Sequence, residues 1–217
     1  MATYTTEIAS DKLISDNPIH QRLLKAYIAA KPWISGDLLE VGCGEGRGVD
    51  ELLPLASSYI GLDKIGEVIS MLQSKFPGVD FRQAVIPPFS DFKENSVDTI
   101  VSFQVIEHIE NDKLFLEEIY RMLKPGGKAI ISTPNITHTL SRNPWHIREY
   151  TPQQLIDLSK GIFDQIDAKG IGGNDKVWAY HEANRKSVQK IMRFDVFDLQ
   201  YKLPAAVLRM PYEILNR

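Results

Sequence analysis

Short apolar runs separated by amphipathic stretches set the reading of this chain. Asp37–Val41 (DLLEV), Tyr59–Asp63 (YIGLD), Val79–Ala84, Val97–Phe103 (VDTIVSF) and Lys128–Ser132 (KAIIS) are too short for helices. They are apolar enough to be covered on both faces, which predicts buried strands. Helical stretches fall between them, over roughly 46–55, 65–76 and 112–123. In the last, Leu114, Phe115, Ile119, Met122 and Leu123 recur at helical spacing, and Lys124-Pro125-Gly126-Gly127 reads as its terminator. Asn17-Pro18 opens a first helix that Pro32 stops, and Thr151-Pro152 opens another that runs to about Lys160. A strand near Ile162–Ala168 and a helix over Val177–Met192 complete the expected elements. Alternating strands and helices imply an α/β fold with a doubly wound, mostly parallel sheet. No convincing seventh strand follows, so the sheet's last strand is expected to be missing or to lie outside this chain.

A chain of 217 residues with 43% hydrophobic content suits one core domain. The pattern divides it into residues 1–175, the sheet domain, and a helical, basic and apolar extension over 176–217. From Arg185 onward there are seven Lys/Arg against three Asp/Glu, although the whole chain carries −3. The extension is therefore a candidate helical cover, a dimer contact or a peripheral membrane contact through residues 194–217. The mildly acidic balance argues against a general nucleic-acid binder. The single cysteine, Cys43, excludes an internal disulfide, and neither a long apolar run nor a leader pattern is visible. A cytoplasmic location is expected.

In such folds ligands bind beyond the carboxyl ends of the strands. After the first strand the chain reads Glu40-Val-Gly-Cys-Gly-Glu-Gly46, and the second strand ends in Asp63, 21 positions after Gly42. Glycines let the main chain turn sharply and a ligand approach it. A carboxylate at that distance suits the hydroxyls of a ribose. The dinucleotide fingerprint would place its third glycine at position 47, which is Arg47. The pyrophosphate turn of a nicotinamide-dependent oxidoreductase is therefore not reproduced.

Taken together, Glu40–Gly46, Gly61-Leu62-Asp63, Lys93–Val101 and Leu123–Gly127 resemble, in order, four motifs of the class I S-adenosylmethionine-dependent methyltransferases. The closest resemblance is to type-11-like and ubiquinone-biosynthesis O-methyltransferases. This implies S-adenosylmethionine as cofactor and a cofactor site of Glu40, Gly42, Cys43, Gly44, Gly46, Asp63, Lys64, Ala84, Val85 and Phe103. The main chain at 42–44 would face the methionine moiety, Asp63 the ribose, and residues 83–86 the adenine. The chain departs from the family there, since Gln83-Ala84-Val85-Ile86 carries no acidic residue for the adenine amine.

After the fourth strand, Gln104, Glu107 and His108 stand where acceptor and methyl group would meet, with His108 as general base beside Glu107. Small-RNA 2′-O-methyltransferases carry Glu-x-x-Glu-His here and a later His-x-x-Glu-aromatic-Thr, with which they hold a metal. This chain has Gln104-x-x-Glu107-His108 and His146-Ile-Arg-Glu-Tyr-Thr151. An amide is a weak ligand for a hard cation, so no metal is expected, with Glu107, His108 and His146 as the candidate set if one binds. The irregular stretch Ile136–Arg148 reads as an acceptor lid, with Asn135, Trp145 and His146 as substrate-binding residues. The expected activity is methyl transfer to an oxygen of a small quinone-like or sugar acceptor. The alternatives are a small-RNA 2′-O-methyltransferase-like enzyme, an NAD-dependent oxidoreductase and a non-catalytic nucleotide-binding domain.

Overall fold

The structure, a computed structural model, describes residues 17–192 and 199–209. Five parallel strands, β1 (Asp37–Val41), β2 (Ser58–Asp63), β3 (Asp80–Gln83), β4 (Val97–Phe103) and β5 (Leu123–Ser132), form one sheet in the order β3-β2-β1-β4-β5. The helices are α1 (Asn17–Ala30), α2 (Val49–Leu52), α3 (Gly66–Lys75), α4 (Asp112–Met122), α5 (Pro152–Ser159), α6 (Asp175–Met192) and α7 (Leu199–Lys202). Strand order reverses at β1, between β2 and β4, so the crevice for a ligand lies at the carboxyl ends of these three strands.

The sheet divides the core in two, and the period of two along each strand assigns its side chains. Leu38 packs with Tyr59, Val101, Val68 and Leu72 on the face that α1, α2 and α3 cover. Its neighbour Leu39 turns the other way, with Val41, Leu62 and Ile100, under Phe115, Leu116, Ile119 and Met122 of α4. That alternation carries the side chain of Glu40 into the first core, where it is 1% exposed. A carboxylate there needs donors. Tyr27 of α1 donates to Oε1 at 2.7 Å, and Tyr59 of β2 donates to Oε2. One acidic residue thus ties α1, β1 and β2 together.

Local signals act where expected at the helix starts. Asn111 Oδ1 accepts from Leu114 N at 3.1 Å and caps α4. Thr151 and Gln154 form a reciprocal capping box at α5, with Pro152 in its first turn. The expected helix over 46–55 is shorter, a single turn (α2) running into a 3-10 turn at Leu53–Leu55.

Two expectations need correction. Lys124-Pro125-Gly126-Gly127 is not a loop ahead of the fifth strand, because β5 starts at Leu123, paired with Val97, directly after α4. The ladder then shifts register before Thr99 pairs with Lys128, and Gly126 takes φ +79 in this irregular stretch. Proline is tolerated here because β5 is an edge strand. The strand expected near Ile162–Ala168 is absent. Ile162 and Phe163 pack into the second core instead, Phe163 edge-on to Tyr120 of α4 at 5.7 Å. Residues 164–174 then run irregular and exposed. Among the described residues no sixth or seventh strand follows β5. The helix of the extension is present from Asp175, two residues before its expected start. Of the tail expected at 194–217, residues 199–209 are described.

Burial pushes the carboxyl of Glu40 up from 4.5 to about 7, against the pull of the two tyrosine hydrogen bonds. The folded chain therefore holds this proton more tightly than the unfolded chain does. The associated stability is complete below about pH 4.5 and is lost as pH rises through about 7, by on the order of 3 kcal/mol. Glu107 is raised in the same way and adds to the slope. Glu40→Gln, which imitates the protonated acid, is expected to flatten the fall in melting temperature over this window. An unchanged slope by calorimetric scanning would remove Glu40 as its source.

Candidate active site

The turn after β1 is shaped by hydrogen bonds to β2. Gly42 N and Cys43 N both donate to Leu62 O, at 2.8 and 2.9 Å, and Gly44 N donates to Asp63 Oδ2 at 2.9 Å. Asp63 Oδ1 accepts from Ile65 N at 3.0 Å, which orients the carboxylate along the strand end. Gly42, Gly44 and Gly46 all have positive φ (78, 50 and 79°), a conformation that residues with a Cβ rarely adopt. Their surroundings differ. A Cβ on Gly42 would lie 2.3 Å from Val105 Cγ2, and one on Gly46 would lie 2.4 Å from Leu72 Cδ2, so these two serve close packing. A Cβ on Gly44 would meet nothing within 4 Å among the described residues. Gly44 thus faces the open crevice, with the Asp63 carboxylate beside it.

This arrangement fits an adenosyl cofactor: main chain to face its amino-acid part and a carboxylate for its ribose. Asp63 retains acceptor capacity after its two main-chain bonds, since each carboxylate oxygen accepts more than one. The other cofactor candidates divide by position. Cys43 is buried in the first core, and burial pushes its thiol well above the ordinary range, so its side chain serves packing. The carboxylate of Glu40 supports the turn from below through its tyrosines. Phe103 packs edge-on against Tyr27 at 4.7 Å, inside the same core. Lys64 is exposed at the rim, its carbonyl accepting from Gln83 Nε2 at 2.9 Å. Ala84 N bonds Asp63 O at 2.9 Å, and Val85 is 78% exposed, which leaves it open to contact an adenine.

Beyond β4, Gln104 adopts φ +59, a strained conformation for a residue with a side chain. Its amide nitrogen bonds Ser132 O at 2.8 Å and its side chain reaches Ser132 Oγ at 3.4 Å. Glu107 is 1% exposed; Oε2 accepts from Thr133 Oγ1 at 3.0 Å, whereas Oε1 has no partner among the described residues. Burial raises its carboxyl to about 7, against the pull of a main-chain hydrogen bond and the Thr133 bond. Its carbonyl accepts from Ile147 N at 2.8 Å and so pins the lid stretch onto the end of β4.

The lid is anchored at its base by an Asn135–Tyr150 bridge, with Ile136 N bonded to Tyr150 O at 3.0 Å. The side-chain oxygen of Asn135 accepts from Thr137 N and Oγ1 at 3.1 and 2.8 Å. Trp145 offers its carbonyl to His108 Nδ1 at 2.9 Å. A carbonyl only accepts, so His108 carries a proton on Nδ1. The rings of His108 and His146 meet edge-on at 5.0 Å. Asn143 Oδ1 accepts from Trp145 N at 3.0 Å, which turns its NH2 toward His146 Nε2 at 2.9 Å. His146 therefore donates from Nδ1 to Glu149 Oε1, at 2.6 Å. Burial pushes Glu149 up, but bonds from His146 and Thr139 hold its carboxyl below the usual range. The charge of Arg22 on α1 acts on both Glu149 and Glu107.

Glu107, His108 and His146 offer ligand atoms within 4.8 Å of one another. Both ring nitrogens of His146 are nevertheless engaged, and the set suits proton handling better than a hard cation. The sequence pattern pointed to these three residues. It assigned no role to Thr133, Thr139, Asn143 and Glu149, whose polar side chains, spread over 17 positions, give no periodic signal.

Residues 39–131 match the family model of the methyltransferase domain. A protein of Mycolicibacterium smegmatis named "Probable S-adenosylmethionine-dependent methyltransferase" is 36% identical over 152 residues, 68% of this chain and 56% of its own length. The mitochondrial ubiquinone biosynthesis O-methyltransferase of Rattus norvegicus is 34% identical over 129 residues, 55% of this chain and 37% of the relative. The chain thus spans about half the length, or less, of these curated relatives. A methyltransferase structure from Archaeoglobus fulgidus covers 80% of the chain and 88% of its own, with TM-score 0.55 at 17% identity. The [4+2]-cyclase SpnF covers 90% and 74%, with TM-score 0.60 at 17% identity. Residues 39–131 thus match a methyltransferase domain, carried on a five-stranded parallel sheet, and the relatives that resemble this stretch are named as S-adenosylmethionine-dependent methyltransferases.

The two glycines make separable predictions. Gly42→Ala is expected to unfold the turn, with a large fall in melting temperature. Gly44→Ala costs roughly 1 kcal/mol of stability for its φ, yet weakens S-adenosylhomocysteine binding sharply. Equal binding by Gly44→Ala and the parent chain, measured by calorimetry, would place the cofactor elsewhere.

Proposed function

We propose that this protein transfers the methyl group of S-adenosylmethionine to a hydroxyl oxygen of a small-molecule acceptor. The observation that carries this reading is Gly44, open to the crevice and bonded to a carboxylate that ends β2. When bound, the cofactor supplies an activated methyl group. Asp63 grips its sugar and the main chain at 42–44 receives its amino-acid part. The relatives' names add the cofactor and the reaction class, and the ubiquinone-biosynthesis relatives add an oxygen acceptor. SpnF, a cyclase on the same fold, shows why fold alone is not enough.

For the acceptor, His108 is assigned the general base that takes the hydroxyl proton, its ring oriented by the bond from Nδ1 to Trp145 O. Glu107, buried and with a raised affinity for protons, stands next to it in the chain. The pinned lid excludes water from the carboxyl ends of the strands. No residue here needs a metal, so manganese or a chelator is expected to leave both turnover and melting temperature unchanged. A clear rise in melting temperature with manganese would restore the metal-dependent alternative.

Asp63→Ala tests the cofactor half. Loss of charge-assisted hydrogen bonds to the ribose should weaken S-adenosylhomocysteine binding by roughly 1.5–3 kcal/mol, and an unaltered dissociation constant refutes the assignment. Labelled methyl transfer to a screen of hydroxylated small molecules tests the acceptor half. His108→Ala is expected to lower kcat while leaving cofactor affinity intact.

A further inference from the structure

A second cleft, of about 610 Å³, opens between residues 137–140 of the lid and one side of α6. The cofactor crevice does not account for it. Trp178 presents an indole that is 47% exposed, flanked by the rings of His138 and His181 at 6.0 and 5.9 Å. Glu182, Arg185 and Gln189 continue along the same side of α6 at helical spacing. Glu182 and Arg185 are paired with each other at 2.9 and 3.2 Å, which presents a neutral edge of donors and acceptors rather than a bare charge. Besides the indole, Leu140 is the one apolar side chain among the described residues that line the cleft.

We propose that this cleft is the acceptor subsite and that it takes a carbohydrate, with a pyranose ring laid on Trp178. The proposal rests on the methyl-transfer reading and names its substrate class. A pyranose has a face of C–H groups, slightly positive, that suits the negative face of an indole. Its rim of hydroxyls each donates and accepts, which the flat polar side chains of Glu182, Arg185, Gln189 and the two histidines match from the edge. The volume lies in the range of small-molecule sites. A ring with a long hydrocarbon tail would instead need an apolar trough, and this lining supplies only Leu140. The cleft is also joined to the proton-handling cluster. Thr139 lines it, and its hydroxyl bonds Glu149, the partner of His146. A sugar seated there touches the same stretch of chain that orients the histidine pair, and sugar hydroxyls are the acceptor type a general base serves.

Saturation-transfer NMR on the full chain tests this with gluco-, manno- and galacto-configured trisaccharides, and with protocatechuate as a contrasting aromatic ring. Transfer to the C–H protons of at least one saccharide is expected. Trp178→Ala should weaken its binding roughly tenfold, about 1.4 kcal/mol, and Trp178→Phe should restore part of it. The affinity of Trp178→Ala for S-adenosylhomocysteine should equal that of the parent chain, which shows that the fold is kept. Transfer to protocatechuate alone, transfer to no ligand, or a saccharide signal that survives Trp178→Ala overturns the proposal. The two readings fail separately. S-adenosylhomocysteine bound without any sugar leaves methyl transfer standing and removes the carbohydrate site. Sugar bound through Trp178 without S-adenosylhomocysteine keeps the cleft as a sugar site and removes methyl transfer.

Discussion

The turn after β1 is bound to the end of β2 by three main-chain N–H groups, two on the carbonyl of Leu62 and one on the carboxylate of Asp63. Everything proposed for the site depends on that clamp. It holds the glycines in their positive-φ conformation, turns Gly44 to the crevice and fixes the carboxylate beside it. The clamp stands in turn on the buried Glu40, whose oxygens accept from Tyr27 and Tyr59. The ring of Tyr27 lies so close to Gly48 that a Cβ there would be 1.9 Å from it, so α1 presses directly on the turn's far side. A cluster of buried polar bonds of this kind is costly to break, because each group left behind is desolvated without a partner.

On the other side of the crevice the same economy of parts recurs. Glu107 serves through two chemistries at once: its carbonyl anchors the lid, and its side chain brings a proton-holding carboxyl next to His108. The lid is held at its base by the Asn135–Tyr150 bridge and from above by the described part of the C-terminal segment. Arg209 lies over the Trp145 ring at 4.1 Å, and Arg142 bonds Leu203 O at 3.1 Å. Since the Trp145 carbonyl accepts from His108 Nδ1, these contacts reach the chemistry through one peptide group. No described helix is long and apolar enough to cross a membrane.

Much of this was legible in the residues alone. DLLEV, YIGLD and VDTIVSF are continuous apolar runs, and a strand buried on both faces has to look like that. Glycines at 42, 44 and 46 and an aspartate at 63 mark the crevice because their roles depend on main-chain conformation and on position at a strand end, both local properties. Elsewhere local reading failed for physical reasons. Lys124-Pro125-Gly126-Gly127 has the composition of a turn, but pairing of Leu123 with Val97 draws it into an edge strand that tolerates proline. Ile162 and Phe163 are strand-like side chains, yet burying them against α4 and α5 left the rest of that segment without a partner.

Sequence by itself determined the class of fold, the glycine turn, the carboxylate that ends β2 and the residues that meet beyond β4, because periodicity and spacing along one chain encode them. Tertiary structure alone decided what each of those side chains does. It sent Glu40 to two tyrosines, bonded the Asn135 side-chain oxygen to Thr137 and placed a proton of His108 on Nδ1. It also set Trp178 opposite His138, forty residues earlier. Hydrogen bonds and ring contacts between distant positions follow from how helices and sheet pack, and the linear order of residues carries no period that reports them.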